Sequence, residues 1–293
     1  MVAQFTIGFK PQRLWSSLAA IDFFLGGTGA GAFLVSMYLG SSVGAVIGLL
    51  AVVFGALALL ADLGRPERFW RAGSKLLLSW ISRGVAFTTV FVVFGILYIV
   101  PVWIAALPWS RETALGQAIG LIAALGAVGV MIYTGFLLSH SPSIPFWNTT
   151  LLPLLFVSSA LTCGVGVLFV IAPASGERTI NQMALESTGI LLLALNIIFL
   201  AVYMLNMNSS TVAAKESVRM LVGGALAPMF WVGVMAIGLI IPLALTFFAY
   251  LIGTGSGATP MVMAVVGILI LFGGFLFRQC MLKAGVYAPI ISL

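Results

Sequence analysis

The stretch YTGFLLSHSPSIPFWNTTLLP, residues 133–153, contains the end of one apolar segment, a polar turn and the start of the next. Its first residues, Tyr133–Ser139, are typical of the last turns of an apolar helix. The turn carries His140, which is the only histidine of the protein, and a new apolar segment begins near Leu151. This pattern predicts two long apolar helices joined by a short loop.

The overall composition indicates the fold class. Of 293 residues, 62% are hydrophobic and 7% are charged, whereas soluble domains carry about 25% charged residues. Eight apolar segments of about 19 to 26 residues are each long enough to cross ~30 Å of hydrocarbon as a helix. They are continuously apolar and do not alternate, which excludes a transmembrane β-barrel. We therefore predict an all-α integral membrane protein, a single polytopic domain over 1–293 with spans near 18–40, 43–62, 84–107, 115–138, 150–172, 186–206, 226–251 and 260–282.

The distribution of basic residues predicts an orientation. Eight spans place both termini on one side, and of 13 lysines and arginines only Arg111 and Arg178 fall on the other side. The positive-inside rule then places both termini in the cytoplasm. The first apolar segment follows Lys10 and Arg13, is too long for a signal-peptide core and lacks a cleavage site after it. We expect it to remain as the first span.

Cysteine and histidine counts limit the redox centres that this protein could hold. Cys163 and Cys280 lie far apart in separate spans, whereas iron–sulfur clusters need several thiolates at close spacing. A membrane b-type haem commonly takes two axial histidines, and only His140 is present. We therefore expect no cluster, no haem and no other metal site here, so an electron carrier would belong to a partner protein.

Two groups of residues at the predicted cytoplasmic ends could form a site. Asp22 is the only acid in the first span; a lone carboxylate in a membrane suggests function, although near the interface it could simply cap the helix. Glycines at positions 26, 27, 29 and 31 form a small-residue face that lets another helix or a flat ring approach closely. Tyr133 and His140 suit a ligand with an apolar body and a polar head, such as a quinone. The alternative for Tyr133 is anchoring in the aromatic belt.

The loop after the second span is the most basic segment of the protein. It could serve only to fix topology, because such loops are common on the cytoplasmic side. Alternatively, its polar groups could dock an acidic partner surface or line a proton entrance. The residues to which we assign this second role are Asp62, Arg65, Arg68 and Arg71.

The sequence contains several motifs along its length: Leu25–Gly27 with Gly31–Leu34, Asp62–Trp70, Tyr133–Ser139, Pro145–Asn148 and Gly273–Arg278. Taken together and in order, these motifs resemble the membrane-subunit family of polysulfide reductase and formate-dependent nitrite reductase (NrfD/PsrC-like). They cover nearly the whole sequence. The resemblance implies an anchor of two four-helix bundles in the cytoplasmic (inner) membrane of a prokaryote. It also implies a ferredoxin-like partner with 4Fe–4S clusters, a molybdenum or tungsten catalytic subunit beyond it, and electron and proton exchange with menaquinone or ubiquinone.

The resemblance also suggests roles for individual residues. Tyr133 matches the tyrosine that hydrogen-bonds a quinone carbonyl in this family, and Asp22 falls where relatives place a polar residue beside the quinone head. The position one turn earlier, often polar in relatives, is Ala19 here. Asp62 matches an acidic position linked to proton movement. The predicted quinone site has Tyr133 and Asp22 as reacting groups. Gly26 and His140 are added to it from their own chemistry and position, since the resemblance gives no role to His140.

An alternative function from another class remains open at this point. A secondary transporter, or a proton or ion channel without redox function, would also be an apolar helical protein with a few intramembrane polar residues. Copurification with an iron–sulfur protein would distinguish the two. In either case we expect membrane lipid as a contact and no nucleic acid as a partner.

Overall fold

The fold is taken from a computed structural model of the protein, which describes residues 10–12, 15, 17–62, 79–104, 106–176, 181–252 and 259–288. Within these residues, eight helices are long and apolar enough to cross a membrane. The prediction of an all-α membrane protein with eight membrane helices is confirmed. A ninth, shorter helix is α7. The helices are α1 Ser17–Leu39, α2 Ser42–Asp62, α3 Trp80–Ile99, α4 Ala114–Ser139, α5 Leu151–Ser175, α6 Gln182–Asn208, α7 Val212–Val222, α8 Met229–Ile252 and α9 Thr259–Lys283.

Local sequence explains where several helices begin and end. Side chains of Thr113, Asn181 and Thr211 accept hydrogen bonds from backbone N–H groups in the first turns of α4, α6 and α7. Such N-caps satisfy donors that have no partner inside the helix. Gly176 ends α5 with φ +64°, a left-handed conformation that glycine adopts without a steric penalty.

Two features differ from the sequence-based description. Helix α3 begins at Trp80, before the predicted start at 84. Its first turn includes the charged Arg83, whose guanidinium lies 4.4 Å from the centre of the Trp80 ring. Helix α7 lies between the predicted spans 186–206 and 226–251, where we predicted no helix. Apolar or small residues recur on its buried side, as expected of an amphipathic helix. These buried residues are Ala213, Ala214, Ser217, Val218 and Leu221.

Helix α8 combines two helical forms. Its first half, Met229–Ile240, has π-helical hydrogen bonding, and Ile241–Ile252 continues as an α-helix. The π-helical part passes very close to α9, since a Cβ atom built on Gly238 would lie 2.6 Å from the Cα atom of Gly273. Small residues permit this approach, as is usual where membrane helices pack.

Helix α1 lies at the centre of the packing. A Cβ atom on Gly29 would lie 2.4 Å from the carbonyl oxygen of Gly48 in α2, and one on Gly31 would lie 2.2 Å from that of Ala160 in α5. The predicted small-residue face of α1 therefore packs against two helices. One apolar core lies mainly among α1–α4 and a second, larger one among α5–α9 with parts of α1. The division into two four-helix bundles stays a prediction, because α1 joins both groups.

The first and last described residues meet on one side of the molecule. Gln12 donates its backbone N–H to the carbonyl of Gly285 at 2.8 Å, and Tyr287 donates to Lys10 at 3.1 Å. Ala288 donates to Ser143, in the turn between α4 and α5, at 2.8 Å. The described residues nearest to each terminus and the turn after Tyr133 thus lie at the same end of the helices.

Candidate functional site

Asp22 and Tyr133 form a buried pair between α1 and α4. The Tyr133 hydroxyl donates to Oδ2 of Asp22 at 3.5 Å, and the two residues are 4% and 9% exposed. This O···O distance exceeds the usual 2.5–3.0 Å for an O–H···O bond. The contact is therefore weak, and it leaves the hydroxyl capacity to bind another partner.

The position of Asp22 in α1 bears on the capping alternative. Helix α1 begins at Ser17, and no acidic residue lies in its first turn. Only groups at or next to the first turn can bond the free N–H groups of a helix. Asp22 is thus not a helix cap in this structure, and its polar contact is with Tyr133.

Gly84 of α3 determines where the Tyr133 ring lies. A Cβ atom built on Gly84 would lie 2.5 Å from Cδ2 and 2.6 Å from Cε2 of the ring. These distances are far below van der Waals contact, so a larger residue would displace the ring. Our sequence reasoning missed Gly84.

The Asp22–Tyr133 pair borders a cavity of about 390 Å³ among α1, α2, α3 and α4. Its size lies within the range of about 300–1,000 Å³ that is common for small-molecule sites. Along α3 it extends from Ile81 to Val93, which is about 18 Å at 1.5 Å per residue. The lining is largely apolar, with polar groups at few positions. It comprises Trp15, Asp22, Phe23, Gly26, Val52, Ala56, Leu59, Leu60, Ile81, Gly84, Val85, Thr88, Thr89, Val92, Val93, Val130, Tyr133 and Leu137.

The structure brings together three of the four residues predicted for the site. Asp22, Gly26 and Tyr133 all line the cavity, and a Cβ atom on Gly26 would meet only Val130, at 3.9 Å. His140 lies outside this lining. Its Nδ1 accepts a hydrogen bond from the Trp80 indole at 3.1 Å, at the C-terminal end of α4.

The side chains predicted to form a docking surface or a proton path lie outside the described part of the protein. Asp62 is the last residue of α2, and its side chain lies outside the described part of the protein. Arg65, Arg68 and Arg71 also lie outside the described residues. Their role stays a prediction.

Arg278 occupies a position that the sequence analysis did not anticipate. We counted it with the basic residues at the cytoplasmic end, but its side chain extends from α9 to α5, where it is buried and only 2% exposed. It donates to Ser159 Oγ at 3.1 Å and to the Phe156 carbonyl at 3.3 Å, and it lies over the Phe156 ring. A charge within an apolar span was the available signal.

The fold and the site define a class: a helical membrane protein whose first four membrane helices enclose an apolar cavity with a buried acid–phenol pair. The protein belongs to the family described as "Polysulphide reductase, NrfD", whose family model matches residues 6–289. The resemblance inferred from the motifs is confirmed.

Individual relatives support the same membership. A polysulfide reductase chain of Wolinella succinogenes is 30% identical over 268 residues, covering 79% of this sequence and 82% of that protein. Protein NrfD of Escherichia coli (strain K12) is 29% identical over 263 residues, covering 82% and 80%. A sulfite dehydrogenase subunit of Allochromatium vinosum is similar over a shorter part, 26% identical over 142 residues, covering 45% and 42%.

Proposed function

We propose that this protein is the quinone-reactive membrane subunit of a multi-subunit oxidoreductase. Two relatives are named as parts of a polysulfide reductase and a sulfite dehydrogenase, which supports a role in a redox complex. The observation that carries the proposal is the Asp22–Tyr133 pair at the wall of a long apolar cavity. A quinone combines a polar ring with an apolar tail, and this cavity offers both environments.

The roles of the two polar groups follow from their geometry. The Tyr133 hydroxyl makes only a long contact with Asp22, so it is available to donate to one oxygen of the ring. The carboxyl group of Asp22, within reach of the same oxygen, would exchange a proton with it. A group that transfers a proton must lie within hydrogen-bond reach of the reacting atom. The quinone, menaquinone or ubiquinone, supplies the electron-accepting and electron-donating chemistry.

The electrons would pass to or from a partner protein. We propose a ferredoxin-like subunit with 4Fe–4S clusters, joined to a molybdenum or tungsten catalytic subunit. It would bind the side where both termini and the turn after Tyr133 meet, because that side is nearest to the Asp22–Tyr133 pair. The location would be the cytoplasmic membrane of a prokaryote.

The ligand part of the proposal is tested by Tyr133→Phe, with Tyr38→Phe as the matched control. Tyr38 is 74% exposed and lies outside the cavity. Loss of one neutral hydrogen bond, about 0.5–1.5 kcal/mol, should weaken quinone-analogue binding about threefold to tenfold. The Tyr38 variant should bind like the unchanged protein. Equal affinities for all three proteins would remove Tyr133 from the site.

The partner part is tested by purification from native membranes in mild detergent. The tagged protein should bring with it a second protein that carries iron and acid-labile sulfide. Isolation of the tagged protein alone, with no associated iron, would instead favour the transporter or channel alternative.

A further inference from the structure

Thr88 lies one helical turn beyond Gly84 on α3, in the wall of the same cavity. One turn is about 5.4 Å along the helix. Because Gly84 packs directly against the Tyr133 ring, Thr88 and the phenol border neighbouring parts of the cavity. Residues four apart also lie on the same face of a helix, so α3 presents both positions to the same space.

The hydroxyl of Thr88 differs from that of its neighbour Thr89. Thr89 donates to the Val85 carbonyl at 2.8 Å, which is a local bond within the helix. No hydrogen bond joins the Thr88 hydroxyl to another described residue. Thr88 is half-buried, and its side chain is therefore a polar group of the cavity that retains its hydrogen-bonding capacity.

The apolar part of the cavity indicates where the rest of a ligand would lie. Ile81 and Val93 of α3 line the cavity and yet are 49% and 47% exposed. Their exposure on a membrane helix means that the cavity reaches the lipid-facing surface beside α3. A long apolar tail could therefore extend from the cavity into the bilayer on this side.

We propose that the Thr88 hydroxyl binds a second oxygen of the head group, while Tyr133 and Asp22 bind the first. The ligand class is a flat ring that carries two oxygens on opposite sides and an apolar tail that leaves beside α3. This inference rests on the proposed function and adds a binding residue and a requirement on the ligand. Buried polar groups that are left without a partner disfavour ligands that lack the matching oxygen.

The test compares two probes on purified protein: a short-tailed ubiquinone with both ring oxygens, and its counterpart with a single phenolic oxygen. Thr88→Val removes the hydroxyl and keeps the branched shape. It should weaken binding of the two-oxygen probe about threefold to tenfold and leave the one-oxygen probe unchanged. Thr88→Ser retains a hydroxyl and should restore much of the affinity. Thr246→Val in α8 is the matched control, since it removes a buried threonine hydroxyl outside the cavity.

The outcomes separate this inference from the proposed function. Equal binding of the two-oxygen probe by Thr88→Val and the unchanged protein would overturn the role of Thr88. If Tyr133→Phe still weakened binding, the proposed function would stand. A loss of affinity for both probes in Thr88→Val, or a similar loss in Thr246→Val, would also overturn the inference, because it would indicate a packing defect. Thermal unfolding of each variant in detergent shows whether it is folded.

Discussion

The carboxyl group of Asp22 faces an apolar cavity, and the Tyr133 phenol is its hydrogen-bond donor among the described residues. A carboxylate buried in this way is costly to keep charged unless hydrogen bonds or an opposite charge stabilise it. Here a single bond of 3.5 Å provides little such stabilisation. At the scale of the residue, Asp22 is therefore placed where a change of protonation state can accompany ligand chemistry.

Replacing Asp22 by Asn keeps the size of the side chain and removes the titratable group. If Asp22 exchanges protons with the head group, turnover should fall by about 10²–10⁴-fold, while binding changes much less. The measurement is quinone-dependent electron transfer in the assembled complex, with quinone-analogue binding measured alongside. Normal turnover in this variant would contradict the proton-exchange role.

Replacing Gly84 of α3 by Ala should disturb the Tyr133 ring, which belongs to α4. The added methyl group would lie 2.5 Å from the Tyr133 ring, and overpacking of this kind costs about 1–3 kcal/mol. We expect weaker analogue binding and a lower melting temperature. Gly223→Ala is the matched control, because a Cβ atom there meets nothing within 4 Å. Wild-type affinity in Gly84→Ala would show that the ring position is not critical.

The sequence identified some residues of the candidate site and missed others. An acid and a phenol in apolar segments attract attention because such groups are rare inside membranes. Gly84 and Thr88 carry no comparable signal, since glycine and threonine commonly serve helix packing there. Their importance depends on how α3 lies against α4, and a single sequence does not specify that arrangement.

At the scale of the helices, the sequence predicted the number of membrane helices better than their internal geometry and the short helix between them. Each of the eight long apolar segments was predicted to be a helix, because a backbone in lipid must satisfy its hydrogen bonds within the segment. Helix α7 was missed, since it is short and its apolar residues are interrupted by charged ones such as Lys215 and Glu216. The π-helical half of α8 has no simple sequence signal, and the close Gly238–Gly273 approach appears only once α8 and α9 are packed.

Arg278 provides a test of how α9 is held against α5. Its planar guanidinium donates to Ser159 and to the Phe156 carbonyl and stacks on the Phe156 ring. Lysine carries a compact charge that cannot reproduce this fork and stacking, and hydrogen bonds from charged groups contribute about 1.5–3 kcal/mol each. Arg278→Lys should therefore lower the melting temperature in detergent.

The control for this prediction is Arg219→Lys on α7. Arg219 forms an exposed ion pair with Glu216 at 2.8 Å, and exposed pairs of this kind contribute little to stability. The melting temperature of Arg219→Lys should stay close to that of the unchanged protein. Equal melting temperatures for the two variants would mean that the buried contacts of Arg278 do not hold α5 and α9 together.

At the scale of the whole molecule, backbone hydrogen bonds join the first and last described residues to each other and to the turn at Ser143. This end of the molecule also contains Trp15 and Leu137, which line the cavity. The even number of membrane helices had predicted that both termini lie on the same side of the membrane. The prediction that this side is cytoplasmic rests on the asymmetry of basic residues alone, because the fold itself does not show how the protein is oriented in a bilayer.

The orientation can be determined by thiol labelling in intact cells. Cys163 and Cys280 are buried, so an impermeant maleimide should not react with the unaltered protein. Ser210, between α6 and α7, is exposed on the side of the termini, and Ser110, before α4, is exposed on the opposite side. Because basic residues favour the cytoplasm, Ser110→Cys should react from outside the cytoplasmic membrane and Ser210→Cys only after permeabilisation. The reverse pattern would place the Asp22–Tyr133 end and the proposed partner outside, and it would mean that the basic residues serve docking instead of topology.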